Sequence, residues 1–156
     1  MKKILILAAV LISCTTAFSQ TADQIFTDIK KSNDKVEYME VTKDMMNILL
    51  SQAQDKSSKA MKDIENIKMM SLNDEGTIGE MRMMLPKLKK NGYEVMLDES
   101  EDGAQVTVYT LKKGKDVKEL FMVLQENGEC RLMLFKGKID PNTIEQLMNF
   151  GDDDDE

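Results

Sequence analysis

Histidine and tryptophan are absent from the 156 residues of this chain, and aromatic residues make up only 5% of it. Without histidine, the chain lacks the side chain that most often serves in acid–base catalysis near neutral pH, and the commonest ligand of transition metals. Sparse aromatic rings also leave few surfaces on which nucleic-acid bases could stack. These absences argue against an enzyme, and we predict no catalytic residue, no metal ligand and no cofactor.

Cysteine is almost as scarce, because the chain has only Cys14 and Cys130. Cys14 lies in the apolar N-terminal segment, so Cys130 is the one thiol left for the folded domain and no disulfide can form within it. Apart from Arg131, no basic neighbour is at hand to lower the pKa of this thiol. We therefore interpret Cys130 as a small buried side chain on a strand rather than as a reactive thiol.

Positive charge is also in deficit, since 21 Lys and Arg residues face 28 Asp and Glu residues, for a formal net charge of -7. Removal of an N-terminal segment with Lys2 and Lys3 would leave 19 basic residues against 28 acidic ones, a net charge of -9. A surface of this sign repels both nucleic acid and anionic lipid. The chain is therefore predicted to bind no nucleic acid.

The first nineteen residues have the pattern of a secretory signal. Lys2 and Lys3 precede the apolar run 4–12, and Ala17-Phe18-Ser19 places small residues where a signal peptidase reads them. This pattern predicts a signal peptide over residues 1–19, with cleavage between Ser19 and Gln20. The apolar run is shorter than the ~20 residues of a membrane-spanning helix, which favours export over an integral membrane anchor.

A lipobox is the alternative to simple cleavage. Leu11-Ile12-Ser13-Cys14 fits such a motif, in which Cys14 would be acylated and would anchor the chain as a lipoprotein. The apolar run before Cys14 is short, however, and an ordinary cleavage site follows directly. Both alternatives place the protein in the periplasm or at the outer membrane of a bacterial envelope, where the lipid anchor would be its one attachment to the membrane.

Apolar residues recur at helical spacing in four segments after the signal. The spacing predicts helices over 21–34, from Thr42 to about Gln54, over 77–91 and from Asp140 onward. In the second helix, four side chains are expected to face the core: Met45, Met46, Leu49 and Leu50. The polar stretch 55–59 that follows is predicted to be a loop or an extension of this helix.

Local signals refine the last two helices. Thr77-Ile78-Gly79-Glu80 has the form of a capping box, and Pro86 predicts a kink or a new helical start. Gly92 is placed as a C-terminal cap. Asp140-Pro141 matches an N-cap followed by proline at the first helical position.

Period-two alternation indicates strands, most clearly in the second half of the chain. We predict strands over 36–41, 64–70, 93–97, 105–111, 117–126 and 130–136. Turn residues separate the last four, and Asn127-Gly128 is the strongest hairpin signal. The fold class is therefore α+β: a two-layer sandwich in which helices pack on one face of a mostly antiparallel sheet that ends in a four-strand meander. One domain is predicted over 20–150, followed by a disordered acidic tail over 151–156.

Methionine is the most unusual component, with 14 residues that include the pairs Met45-Met46, Met69-Met70 and Met83-Met84. Thioethers suit Cu(I), but methionine also fills irregular cores and lines adaptable apolar grooves. Since neither His nor a second Cys is at hand, we favour the core or groove interpretation and expect no stoichiometric Cu(I) or Zn²⁺ binding.

Charged clusters offer little further chemistry. The acidic runs 98–102 and 152–156 do not have the ligand spacing of a calcium-binding loop and are interpreted as solvated loop and tail. The basic segments Lys112-Lys113-Gly114-Lys115 and Lys136-Gly137-Lys138 lack the pattern of a phosphate-binding loop and are interpreted as turns with solvated lysines.

Several short segments resemble a family of envelope proteins known as domain of unknown function number 4252. The resemblance lies in Val41-Thr42-Lys43-Asp44-Met45, in Leu85-Pro86-Lys87-Leu88 leading to Gly92-Tyr93-Glu94, and in the segment 135–140 before the last helix. It covers roughly residues 22–150. It implies a secreted or lipid-anchored domain and brings no catalytic residue with it.

Three functions remain open at this point. The first is a non-enzymatic envelope module that binds a protein or peptide partner, because Met-rich apolar surfaces accept varied partners. The second is a carrier of a small apolar ligand in the periplasm, and the third is a hydrolase that uses Asp or Glu. An apolar cavity of several hundred cubic ångströms would favour the carrier, whereas an apolar patch at a sheet edge would favour the partner-binding module.

Overall fold

A computed structural model of the chain describes residues 20–52 and 61–143. The predicted signal peptide, with Cys14 and Ser19, lies outside the described residues. The predicted loop 55–59, the end of the predicted domain at 144–150 and the acidic tail also lie outside them.

Six antiparallel strands form one open sheet in the order β1-β2-β6-β5-β4-β3. Each strand overlaps a predicted one, so the α+β class with an antiparallel sheet is confirmed. β3 extends to Glu101, however, so the interpretation of the acidic run 98–102 as a loop is wrong for most of its residues. β1 and β3 lie at the two edges, and each strand from β3 to β6 pairs with the next in sequence. The bounds are β1 Glu37–Thr42, β2 Ile64–Leu72, β3 Tyr93–Glu101, β4 Ala104–Lys113, β5 Asp116–Glu126 and β6 Glu129–Ile139.

Local sequence determines the tight turns between these strands. Asn127 and Gly128, between β5 and β6, have φ of 51° and 83°. Two consecutive positive φ values are what a type I′ hairpin turn requires, so the predicted turn is confirmed. Asp102 and Gly103, between β3 and β4, have the same character with φ of 49° and 87°.

Helix α1 (Ala22–Ser32) begins at a capping box. The hydroxyl of Thr21 accepts from the backbone N–H of Gln24 at 3.2 Å, and the Gln24 side chain accepts from the Thr21 N–H at 2.9 Å. Two donors that the helix cannot satisfy internally are thereby paired. The buried residues follow the predicted helical spacing and hold the helix on the sheet: Ala22, Ile25, Phe26 and Ile29.

The N-cap of helix α3 (Glu75–Met84) lies three residues before the predicted cap at Thr77, so that prediction is wrong. The N-cap is Asp74, whose carboxylate accepts from the backbone N–H of Thr77 at 2.8 Å and from its hydroxyl at 2.9 Å. These hydrogen bonds favour the charged carboxylate and lower the pKa of Asp74. The side chain expected to cap the helix is thus itself a donor to the true cap.

The segment around Pro86 confirms the predicted new helical start. A 3₁₀ helix over Leu85–Asn91 follows α3 directly, with the proline in its first turn. It ends at Gly92, which has φ of 84° and donates its N–H back to Leu88 and Lys89. Glycine meets no Cβ penalty in this left-handed conformation.

Buried side chains form two clusters, one on each face of the sheet, because neighbouring residues of a strand point to opposite faces. On the first face, α1 and α3 pack against residues such as Phe121, Leu132 and Leu134. On the second face, Met46 packs with residues that include Ile67, Leu120 and Phe135. Met46 belongs to helix α2 (Lys43–Gln52). Helices therefore lie on both faces, and the expectation of helices on one face only is not met.

Lys136-Gly137-Lys138 lies inside β6 and not in a turn, so the turn interpretation is wrong for this segment. Gly137 has φ of 141° and sits where the register between β2 and β6 shifts. A Cβ at this position would lie 2.9 Å from both Glu65 N and Ile64 Cα. Glycine is required because two backbones approach too closely to leave room for a side chain.

Candidate docking surface

Helix α2 follows β1 directly and carries an apolar stripe wider than the part that it buries. Met46 is buried and Leu50 is half-buried. On one flank of the same stripe, 48% of Met45, 60% of Ile48 and 55% of Leu49 are exposed. The prediction that Met45 and Leu49 face the core is therefore wrong. The spacing of apolar residues shows how wide the apolar stripe of a helix is. It does not show what fraction of that stripe is buried against another helix or strand.

Strand β1 adds a further exposed apolar side chain beside this helix. Met39 shares a sheet face with Val41, because residues two apart on a strand point the same way. Val41 packs against the cluster that contains Met46 of α2. Met39 therefore lies on the α2 side of the sheet, with 49% of the residue exposed. We refer to four residues together as the β1–α2 surface: Met39, Met45, Ile48 and Leu49.

Four methionines lie opposite one another across adjacent strands on this face. The register pairs Met39 with Met69, Met69 with Met133, and Met133 with Met122. Directly opposed side chains have Cβ atoms about 5 Å apart, so the four form a row from the edge strand β1 to β5. Met39 is exposed, Met69 is half-buried and the other two are buried. A single sequence does not reveal strand register, so this row could not be predicted from the sequence.

In two of the three consecutive methionine pairs, the two side chains lie in different environments. Met69 and Met70 belong to the clusters on opposite faces of the sheet. Met45 is exposed, whereas Met46 is buried. A Cu(I) site needs several thioethers converging on one point, and these two pairs diverge.

Formal charges around the β1–α2 surface nearly cancel. Glu40 is held by hydrogen bonds from Asn66 Nδ2 at 2.8 Å and from Tyr38 Oη at 2.9 Å. These bonds lower the pKa of Glu40, the one from Asn66 most. Glu40 itself points to the opposite face of the sheet from Met39. The other exposed charged residues of β1 and of the first turn of α2 are one cation and two carboxylates, which sum to -1: Lys43, Glu37 and Asp44.

The opposite edge strand, β3, is built differently. Its register against β4 shifts between Val95 and Leu97, and it carries four exposed carboxylates: Glu94, Asp98, Glu99 and Glu101. Charges and bulges are two devices by which edge strands avoid pairing with another chain. Within the described residues, β1 pairs with β2 without a register shift. Of the two edges, β1 is therefore the more open to an added strand.

A group of polar contacts on the first face links α1 to four strands. Asp23, in the first turn of α1, pairs with Lys68 Nζ at 2.7 Å and with Lys136. Lys136 Nζ also lies 3.9 Å from a carboxylate oxygen of Glu119, which accepts from the hydroxyl of Tyr93. Burial lowers the pKa of Lys136 and is the largest cause that raises the pKa of Tyr93. Two cations and two carboxylates balance here, so the group fixes α1 on the sheet.

A cavity of about 270 Å³ opens at the β5–β6 hairpin. Polar and charged residues dominate its lining: Ser71, Glu126, Asn127, Glu129 and Arg131. Leu124 and Cys130 complete it. Cys130 is 1% exposed, and burial raises the pKa of its thiol to about 11, which confirms its interpretation as a buried strand residue. A carrier of an apolar ligand needs a mostly apolar lining, which this cavity lacks.

Residues 20–52 and 61–143 meet the requirements of neither a metal site nor a membrane-spanning helix. No group of three or more His, Cys, Asp and Glu side chains is arranged to hold a metal ion there. None of the helices described has the length and apolar character of a membrane span.

Gln20, the residue expected after signal cleavage, is buried, and its side chain donates to Asp28 at 2.9 Å.

Comparison with known proteins gives one result. Residues 28–147 match the family described as "Domain of unknown function (DUF4252)", which confirms the resemblance drawn from the short motifs. The matched range includes all six strands and therefore the whole β1–α2 surface. No curated protein and no solved structure matches the chain.

Proposed function

The chain belongs to the DUF4252 family, and we propose that it is an exported, non-enzymatic module of the bacterial envelope that binds a protein or peptide partner at the β1–α2 surface. One observation carries this proposal. An edge strand without a bulge lies beside exposed apolar side chains of the helix that follows it. Exposed apolar patches on soluble domains commonly mark interaction sites.

Two kinds of contact would contribute to binding at this surface. The outer backbone groups of β1 can pair with an added strand, as in the recognition of peptides by sheet edges. The four apolar side chains are each about half exposed, so their burial would contribute on the order of 1 kcal/mol apiece. Flexible methionine side chains can adapt to partners of different shape. Together these contacts suit moderate affinity.

Export is the first part of the proposal to test. Mass spectrometry of the protein from envelope fractions should give an N-terminus at Gln20, or an acylated Cys14 if the lipobox is used. Both outcomes place the β1–α2 surface outside the cytoplasm. Recovery of the chain from the cytosol with Met1 still present would contradict an envelope function.

Docking is tested by placing a photo-crosslinking amino acid at Ile48 in cells that express the chain. We expect one discrete adduct at this position, because a partner that covers the surface must lie within reach of the probe. The matched control carries the probe at Met83, which is 70% exposed and belongs to α3, the helix that packs on the opposite face of the sheet from α2. No adduct is expected there.

A second variant separates docking from random collision. Leu49→Glu places a charge within the proposed interface, where desolvating it is costly. It should abolish the adduct at position 48 while leaving the thermal midpoint unchanged, because Leu49 is exposed. An adduct that survives Leu49→Glu, or forms equally at position 83, would rule out a specific surface.

A further inference from the structure

We propose that the partner at the β1–α2 surface is a second copy of this chain, joined by antiparallel pairing of the two β1 strands with Met39 at the two-fold axis. The inference rests on the proposed function, because it names the occupant of the same surface. The evidence for it is a comparison of the possible registers of the β1–β1 pairing, each of which would place different side chains opposite one another.

Sheet geometry limits the registers. A two-fold axis that extends the sheet runs perpendicular to it, so the face covered by α2 in one copy continues into the same face of the other. Opposed residues must then lie on equivalent faces. Tyr38 and Glu40 lie on one face, and Glu37, Met39 and Val41 lie on the other. The axis must therefore pass through a residue of β1 and not between two residues.

Only one central residue gives both a long pairing and compatible charges. With Glu40 at the centre, two carboxylates would lie directly opposite each other, which is destabilising. With Tyr38 or Val41 at the centre, the pairing would span only 37–39 or 40–42, because β1 runs from Glu37 to Thr42. With Met39 at the centre, residues 37–41 of each copy pair and no like charges oppose.

The Met39-centred register also places compatible side chains together. Tyr38 would oppose Glu40 of the other copy, and the Tyr38 hydroxyl already donates to Glu40 within one chain. Met39 would oppose its own counterpart. The methionine row Met39-Met69-Met133-Met122 would then continue across the axis into the row of the second copy.

Charge favours self-association at β1 over β3. The chain carries a net charge of -7, so two copies repel overall. The residues around the β1–α2 surface sum to only -1, whereas self-pairing of β3 would bring together two strands that each expose four carboxylates. A nearly neutral patch on an acidic protein suits a partner of the same net charge. Added salt should strengthen the dimer, because it screens the overall repulsion.

The test uses protein purified from cells that express the full chain, studied by sedimentation equilibrium. The wild-type protein should be a dimer at a concentration of about 100 µM. Met39→Lys and Met39→Glu should each weaken the dimer at least about tenfold, because each places like charges at the axis. An equimolar mixture of the two variants should restore a dimer, since residue 39 then opposes the opposite charge.

Met96→Lys is the matched control, because Met96 is an exposed methionine on the other edge strand. It should leave the dimer unchanged. Wild-type protein that stays monomeric at about 100 µM overturns the inference. So does a Met39→Lys variant that remains dimeric, or a Lys and Glu mixture that remains monomeric.

The crosslinking result at Ile48 distinguishes the failure of this inference from that of the proposed function. If the chain is monomeric but position 48 captures a different protein, docking at the surface stands and the second copy is excluded. If the chain is monomeric and position 48 captures nothing, both fail. An adduct of twice the chain mass that is lost in Met39→Lys supports both.

Discussion

Gly137→Ala should be strongly destabilising, with a loss of about 4 kcal/mol in the free energy of unfolding. The added Cβ would press on the carbonyl oxygen of Asp63 and lie 2.9 Å from Glu65 N and Ile64 Cα. These are backbone atoms, and the Asp63 carbonyl accepts from the Lys138 N–H at 2.9 Å. The new methyl group therefore cannot be accommodated by a side-chain rotation. Denaturant unfolding monitored by circular dichroism measures the loss.

Gly128→Ala is the matched control for this substitution. Gly128 also has a positive φ, 83°, but a Cβ there would meet no atom within 4 Å. It should cost only the backbone strain, about 1 kcal/mol, with an unchanged dependence on denaturant. Equal losses for the two variants would mean that the close approach of β2 and β6 does not determine the need for Gly137.

Phe26→Ala should destabilise the protein by about 3–5 kcal/mol, as expected for removal of a buried aromatic side chain. Phe26 is 2% exposed, and its ring packs edge-on against Phe121 at 6.1 Å and Tyr38 at 6.2 Å between centroids. Tyr38 belongs to β1, so the cavity would open directly behind the proposed docking strand. Chemical denaturation measures the global loss, and hydrogen exchange measures the local loss in β1.

Met83→Ala on α3 serves as the control, because Met83 is largely exposed. It should change stability by less than about 0.5 kcal/mol. In Phe26→Ala, amides of β1 should exchange faster than amides of the central strands β5 and β6. Uniform acceleration across the sheet would show that α1 supports the whole fold equally, without a particular role behind β1.

The strands and turns could be predicted from the sequence because they depend on the conformational preferences of a few neighbouring residues. Asn127-Gly128 adopts the two positive φ values that its residue types favour, whatever the rest of the chain does. Gly92 likewise ends a helical segment in the left-handed conformation. The apolar spacing over 21–34 was also sufficient to place helix α1. In each case a few neighbouring residues carry the whole signal.

Features that depend on contacts between residues distant in the sequence could not be predicted from it. Thr77 fits a capping pattern as well as Asp74 does, and the choice depends on which side chain reaches the free N–H groups. Met45 and Leu49 have core spacing, but the sheet leaves them uncovered. The methionine row and the special role of Gly137 arise from strand register, which pairs residues up to tens of positions apart. The β1–α2 surface could therefore be identified only from the three-dimensional structure.

Methyl NMR of methionine-labelled protein tests the docking surface most directly, because methionines are distributed over both edges and both faces of the sheet. The labelled chain is titrated with the protein captured at position 48, or with unlabelled chain if that adduct is a dimer. We expect the Met39 and Met45 signals to shift or broaden, while Met83 and Met96 stay unchanged. Unchanged Met39 and Met45 signals at saturation, or changes confined to Met83 and Met96, would contradict docking at the β1–α2 surface.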